Sequence, residues 1–166
     1  VTGPFAAPCL DRDPCGRQDA GMVLNMIKLC VGVDTVEDLE SHVAMRLAAA
    51  RAAGLPAEQT HRTRVTPKRA AEILDGGSLY WVIKGNVQLR QPIRRFDAVT
   101  EADGRERCHI VLEPVFQRTA WQPRRAFQGW RYLTGEDAPP DLGADDASIA
   151  ALPPELRREL AALGLL

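Results

Sequence analysis

The sequence predicts an α+β fold, with a mostly antiparallel sheet flanked by two helices and followed by a C-terminal helical tail. Three observations predict it. Val36, Leu39, Val43 and Leu47 recur at helical spacing. Ser78 to Ile93 is two runs of β-formers around Gly85-Asn86, a two-residue hairpin signal. Asp103-Gly104 marks a second hairpin, so successive strands run antiparallel.

The elements follow in order. Val1 to Gly21 contains Pro4, Pro8 and Pro14 with Gly3, Gly16 and Gly21, and shows no periodicity. It also lacks the basic start and apolar stretch of a secretory signal. It is expected to be an extension, disordered or upstream of the true translation start, which is Val1, Met22 or Met26. Met26 to Val33 is a short apolar run with β-branched residues and reads as a buried strand. Asp34, with Glu37 three residues later, opens a helix that Gly54-Leu55-Pro56 closes. His61 to Val65 alternates polar and basic residues as an edge strand would.

Thr66-Pro67 caps a second helix with proline at its first position. That helix stops at Asp75, before Gly76-Gly77. Leu79 to Lys84 and Val87 to Ile93 form the central hairpin, Arg107 to Leu112 another strand, and Gly129 to Leu133 the last. Ala138-Pro139-Pro140 begins an acidic linker. Pro153-Pro154-Glu155 opens a final helix with Leu156, Leu160 and Leu163 on one side. Residues 22–137 are thus expected to form a single domain, and residues 138–166 the linker and last helix.

Composition excludes several classes. A chain of 166 residues with 45% hydrophobic and 26% charged residues suits one globular domain, neither disordered nor fibrous. No apolar run approaches the roughly 20 residues of a membrane span. Four scattered cysteines make neither a disulfide scaffold nor a zinc finger. A cytoplasmic location follows as the expectation, with Cys30 and Cys108 as free thiols and no weight on Cys9 or Cys15.

The familiar catalytic motifs are missing. There is no G-x-G-x-x-G, no P-loop and no nucleophile elbow at Ser78. Cys108-His109 are neighbours on a strand and point to opposite faces, so they form no dyad. His42, His61 and His109 share no metal-ligand spacing. No catalytic residue, metal site or cofactor is therefore assigned.

Charge and aromatic content are more informative. The net charge of −1 hides an imbalance, because residues 61–131 hold 14 Lys/Arg against 7 Asp/Glu. Residues 132–166 hold 2 against 7. A basic body meeting an anion is one reading, and an acidic tail neutralising that body is the other. With Gly85-Asn86 as the turn, Trp81 pairs with Arg90 and Val82 with Leu89. Tyr80, Val82 and Leu89 then face the core. Trp81, Ile83, Gln88 and Arg90 face outward, setting an indole beside a guanidinium. Lys84 and Arg90 of the hairpin, Arg62 and Arg64 on the edge strand, and Arg94, Arg124, Arg125 and Arg131 are candidate anion contacts. Trp81 and Trp130 are candidate stacking residues.

Met26 to Val33, Thr66-Pro-Lys-Arg69, Asp75 to Gly85 and Pro123 to Leu133 resemble domain-of-unknown-function family 1489. This resemblance implies a stand-alone bacterial domain over about Met26 to Leu142, in the manner of alphaproteobacterial proteins, with no established activity. The order of Ala70 to Leu74, Gly76-Gly77 and Tyr80 to Arg90 is more distantly similar to PUA-like barrels of the ASCH and EVE group. That likeness implies a barrel-like sheet and RNA or nucleotide binding. The G-x-K-x-x-E-x-R pattern of ASCH domains is not matched, since Asn86, Val87 and Gln88 follow Gly85, and no catalytic residue is carried over.

The expected function is binding of RNA or another phosphate-bearing anion through a basic, aromatic face. The alternatives are a small hydrolase of a nucleotide or anionic metabolite, and an interaction module that docks a protein partner through its last helix. No membrane contact is expected.

Overall fold

The computed structural model describes residues 23–143 and 152–165. The predicted extension 1–21 and the middle of the acidic linker lie outside the described residues. The elements run β1 (Leu24–Leu29), α1 (Val36–Ala52), β2 (Gln59–Thr63), α2 (Ala70–Leu74) and β3 (Ser78–Ile83). They continue with β4 (Asn86–Thr100), β5 (Glu106–Leu112), β6 (Gln117–Pro123), β7 (Trp130–Thr134) and α3 (Pro154–Ala162).

The strands form one mixed, mostly antiparallel sheet in the order β2-β5-β4-β3-β1-β7, with β6 also paired to β4. Among the described residues only β1 and β3 run parallel, joined by the α1-β2-α2 crossover. Long β4 is the spine. Its first half pairs with β3 and β6, and its second half with β5. Glu113 N donates to Pro92 O at 2.9 Å and bridges the step from β5 to β6. Register shifts at Val87/Leu89 and Ile93/Arg95 break the ladders, and such bulges sharpen a sheet's twist and bend.

The sheet is not closed into a barrel, which corrects the barrel-like expectation. The physical reason is that β2 meets β3 and β4 through side chains instead of a backbone ladder. His61 and Trp81 stack edge-to-face with centroids 5.2 Å apart. The amides of Gln59 and Gln91 exchange hydrogen bonds of 2.9 and 2.7 Å.

Helix α1 begins one residue later than its sequence signature suggests. Thr35 is the cap: its Oγ1 accepts from Asp38 N, and the Asp38 carboxylate accepts from Thr35 N, both at 3.1 Å. The capping logic is that expected of Asp34 and Glu37, shifted so that Val36, Leu39, Val43 and Leu47 meet the sheet. Helix α2 also starts late. It has no side-chain cap, and Arg69 N donates to the Tyr132 hydroxyl instead.

The central hairpin needs the larger correction. The two-residue loop is Lys84-Gly85, with φ of +49° and +81°, not Gly85-Asn86. Two successive positive φ angles are the mark of a hairpin turn matched to strand twist. Ile83 therefore pairs with Asn86, and Gln88 is the extra residue before Trp81 pairs with Leu89. A one-residue slip moves side chains to the other face. Leu79, Trp81, Ile83 and Leu89 consequently join the core under α1. Tyr80, Val82 and Val87 face the opposite layer with Ile27 and Leu133, under Phe127 and Ala138. Trp81 is 4% exposed, so it does not offer an outward stacking face.

The sequence reading misses β6 and the second half of β4, because neither alternates apolar and polar residues. Leu156 in α3 and Leu163 just after it are 41% and 71% exposed, whereas Arg157 is 6% exposed and lies over the Trp121 ring at 5.4 Å. The helix thus docks through an arginine and not through the predicted leucine side. Among the described residues, no helix is long and apolar enough to cross a membrane.

Gly77 joins α2 to β3 where backbones meet most closely. A Cβ there would lie 2.3 Å from both Ile73 O and Leu24 O. Both are backbone atoms, and Gly77 N already donates to Ile73 O at 2.7 Å. Gly77→Ala is expected to cost about 3 kcal/mol in urea unfolding. A loss below about 0.5 kcal/mol would show that the junction gives way easily.

Candidate functional site

The arginines singled out in the sequence do not gather around an indole. Arg62 pairs with Glu101 at 2.6 Å and Lys84 with Asp34 at 2.6 Å. Arg94 lies 3.8 and 3.9 Å from Glu58 and Glu113. Arg90 sits opposite Tyr80, on the other face from Trp81, and forks onto Asp141 at 2.7 and 2.6 Å while reaching Ser78 Oγ at 2.9 Å. Asp141 belongs to the acidic C-terminal part, so the tail neutralises at least this cation. Arg124 holds Gln122 and the Asp137 carbonyl, and Arg131 lies over Phe127. Arg64 and Arg125 are exposed. Trp130 donates its indole N–H to Val65 O at 3.2 Å and packs edge-on against Tyr132, so it pins a loop.

A different basic and aromatic constellation lies in the seam between β1 and β2, beneath α1. The cavity measures about 570 Å³, within the range of roughly 300–1,000 Å³ typical of small-ligand sites. Lys28 and Cys30 come from the end of β1 and the loop after it, His42 and Arg46 from α1, and His61 from β2. Trp81 forms part of the wall, and the lining contains no Asp or Glu.

Local sequence explains this placement. Leu39, His42 and Arg46 are spaced three and four apart and share the flank of α1 beside its core stripe. On β2, His61 points inward between Thr60 and Arg62, both exposed. On β1, Lys28 pairs with Trp81 and Trp130 across the two ladders, at the point where the apolar run gives way. Val31 and Met45, 89% and 62% exposed, form an apolar rim.

The wall is fixed by a buried polar network. Trp81 Nε1 donates to Gln91 Oε1 at 2.9 Å, and that oxygen also accepts from Gln59 Nε2. Gln91 Nε2 donates to Gln59 Oε1 and to the Glu113 carbonyl. Three strands, β2, β3 and β4, and the turn after β5 are thereby tied at one point, and the indole has a single orientation.

The electrostatics favour an anion. Neither Lys28 nor Arg46 makes an ion pair among the described residues. Partial burial pulls the Lys28 ammonium below its ordinary value. Burial, reinforced by Lys28 and Arg46, lowers His61 to about 4, so its ring is neutral at pH 7. Its Nε2 is buried without a hydrogen-bond partner. Burial raises the Cys30 thiol to about 11 against the pull of both cations, which keeps it protonated. Cys30, His42 and His61 line one cavity, yet no group of three metal-ligating residues is assembled among the described residues.

Sequence reasoning misses Lys28, His42, Arg46 and His61 as members of one site. The available signals are a lone lysine inside an apolar strand and the three- and four-residue spacing from Leu39 to Arg46. Neither says that β2 comes to lie against β3.

The lowered His61 value fixes a sign for acid stability. The unfolded chain takes up a proton at this histidine near 6.5, but the folded chain only near 4. Stability is therefore lost as pH falls through that window, by up to roughly 3 kcal/mol. His61→Phe should flatten this part of the wild-type profile in chemical unfolding from pH 7 to pH 4. Identical pH slopes for the two proteins would contradict a neutral, buried His61.

Compared with protein-family models, residues 26–166 match the family described as "Protein of unknown function (DUF1489)". No curated protein and no solved structure matches the chain. The family match takes in the pocket's residues on β1, α1, β2 and β3 together with the sheet that positions them, and it covers well over half of the sequence. The chain therefore belongs to the DUF1489 family of proteins of unknown function.

Proposed function

We propose that this chain binds a small phosphate-bearing ligand, a nucleotide in chemical class, in the seam cavity. One observation carries the reading: among the described residues, two cations without ion-pair partners and an indole share a cavity whose lining has no carboxylate. Lys28 and Arg46 meet the phosphate, where charge-assisted hydrogen bonds are stronger than neutral ones. Leu39, Met45 and Trp81 contribute the apolar part of the wall. Phosphate recognition thus moves from the outer arginines to the pocket, because most of the former are satisfied by Asp, Glu or carbonyl groups.

Binding is favoured over turnover. A hydrolase of this size needs an activated nucleophile or a titratable pair. Cys30 is a protonated thiol, His61 is a weakly basic neutral ring, and the cavity lining has no carboxylate.

Calorimetric titration with the four ribonucleoside 5′-monophosphates tests the reading. Lys28→Met and Arg46→Met should each weaken binding by about tenfold or more, with Arg62→Met unchanged. Loss of affinity in Arg62→Met, with both pocket variants unaffected, would contradict the pocket and restore an outer surface.

A further inference from the structure

Resting on the reading of the seam cavity as a phosphate site, we infer that its occupant carries a terminal phosphate monoester and not an internal phosphodiester. The inference concerns charge matching. Lys28 and Arg46 approach the cavity from different elements, β1 and α1, and neither has an anionic partner among the described residues. No carboxylate lines this cavity, and Glu58, which lines the adjoining one with Arg46, is held by Arg95. His61, between them and Trp81, adds no charge at neutral pH. A seated ligand strips water from both cations. One left unpaired in a partly apolar cavity is costly, and a group with a single negative charge satisfies only one. A phosphate monoester carries close to two negative charges at pH 7, whereas a phosphodiester carries one.

The apolar rim agrees with a ligand that ends inside the cavity. Val31 and Met45 stand exposed at its edge with Leu29 and Leu39 behind them. A chain continuing through the site as an internal nucleotide would bring a second phosphate out over this rim. The nearest exposed cation on β2, Arg62, is already held by Glu101 at 2.6 Å. A free mononucleotide and the phosphorylated end of an RNA strand share the inferred chemistry, and the experiment separates them.

The full chain is titrated with uridine 5′-monophosphate, its 5′-methyl phosphate ester and uridine, then with a short oligoribonucleotide bearing either a 5′-phosphate or a 5′-hydroxyl. The monoester should bind about tenfold or more tightly than its methyl ester. Lys28→Met should remove most of that difference while still binding both. A preference for the 5′-phosphorylated strand over the mononucleotide identifies a strand end, and the reverse identifies a free nucleotide. Either result requires the terminal monoester. Equal affinity for monoester and methyl ester overturns the inference while leaving the phosphate pocket in place. No binding of either compound overturns the pocket reading and the inference together.

Discussion

The reciprocal amide bonds between Gln59 and Gln91, with the Trp81 indole on the shared oxygen, hold together strands that no common ladder joins. Along the sheet, β2 is separated from β4 by β5 and from β3 by both β5 and β4. The sheet must therefore curl until β2 faces β3, and this polar knot is where the curl is secured. A buried amide left without its partner costs about 1–3 kcal/mol, so the knot admits few alternatives. Because closure is made by side chains, a gap remains above it. The candidate site is that gap, roofed by α1 and walled by Trp81 and His61.

The same architecture sorts the cations into two populations. On the outside of the strands, arginines face acids supplied by neighbouring strands and by the C-terminal part, as in Arg62–Glu101, Arg95–Glu58 and Arg90–Asp141. Partly exposed pairs of this kind contribute little individually, but they occupy the guanidiniums. Inside the seam the acids are missing. Lys28 and Arg46 face Cys30 and His61, which burial holds in their neutral forms at pH 7, the thiol against the pull of the two cations. Net charge conceals this segregation entirely.

Much of the architecture was legible from local pattern. The capping residues of α1, the stripe Val36, Leu39, Val43 and Leu47, and the strand runs around residues 80 and 110 rest on propensity and periodicity, which act over a few residues. The failures share a different cause. The turn sits one residue earlier than its Gly-Asn signal, because Lys84 takes a positive φ that sequence alone assigns to Gly or Asn, and the extra residue at Gln88 then puts Arg90 on the face of Tyr80 and not of Trp81. The pairing of Arg90 with Asp141 spans 51 residues, and that of Gln59 with Gln91 spans 32. Such contacts exist only after the sheet has curled. The site was hidden for the same reason, since Lys28, Arg46, His61 and Trp81 become neighbours through topology and not through spacing.

The central claim is that an anion enters the seam beside Trp81 and does not spread over the outer arginines. Amide and indole resonances followed by NMR during titration with uridine 5′-monophosphate test it most directly. The account predicts that shifts concentrate at Lys28 to Val33, Gln59 to His61 and the Trp81 indole N–H, with the backbones of Arg90, Arg94 and Arg124 undisturbed. Shifts confined to those arginines, with the Trp81 indole unmoved, would contradict it.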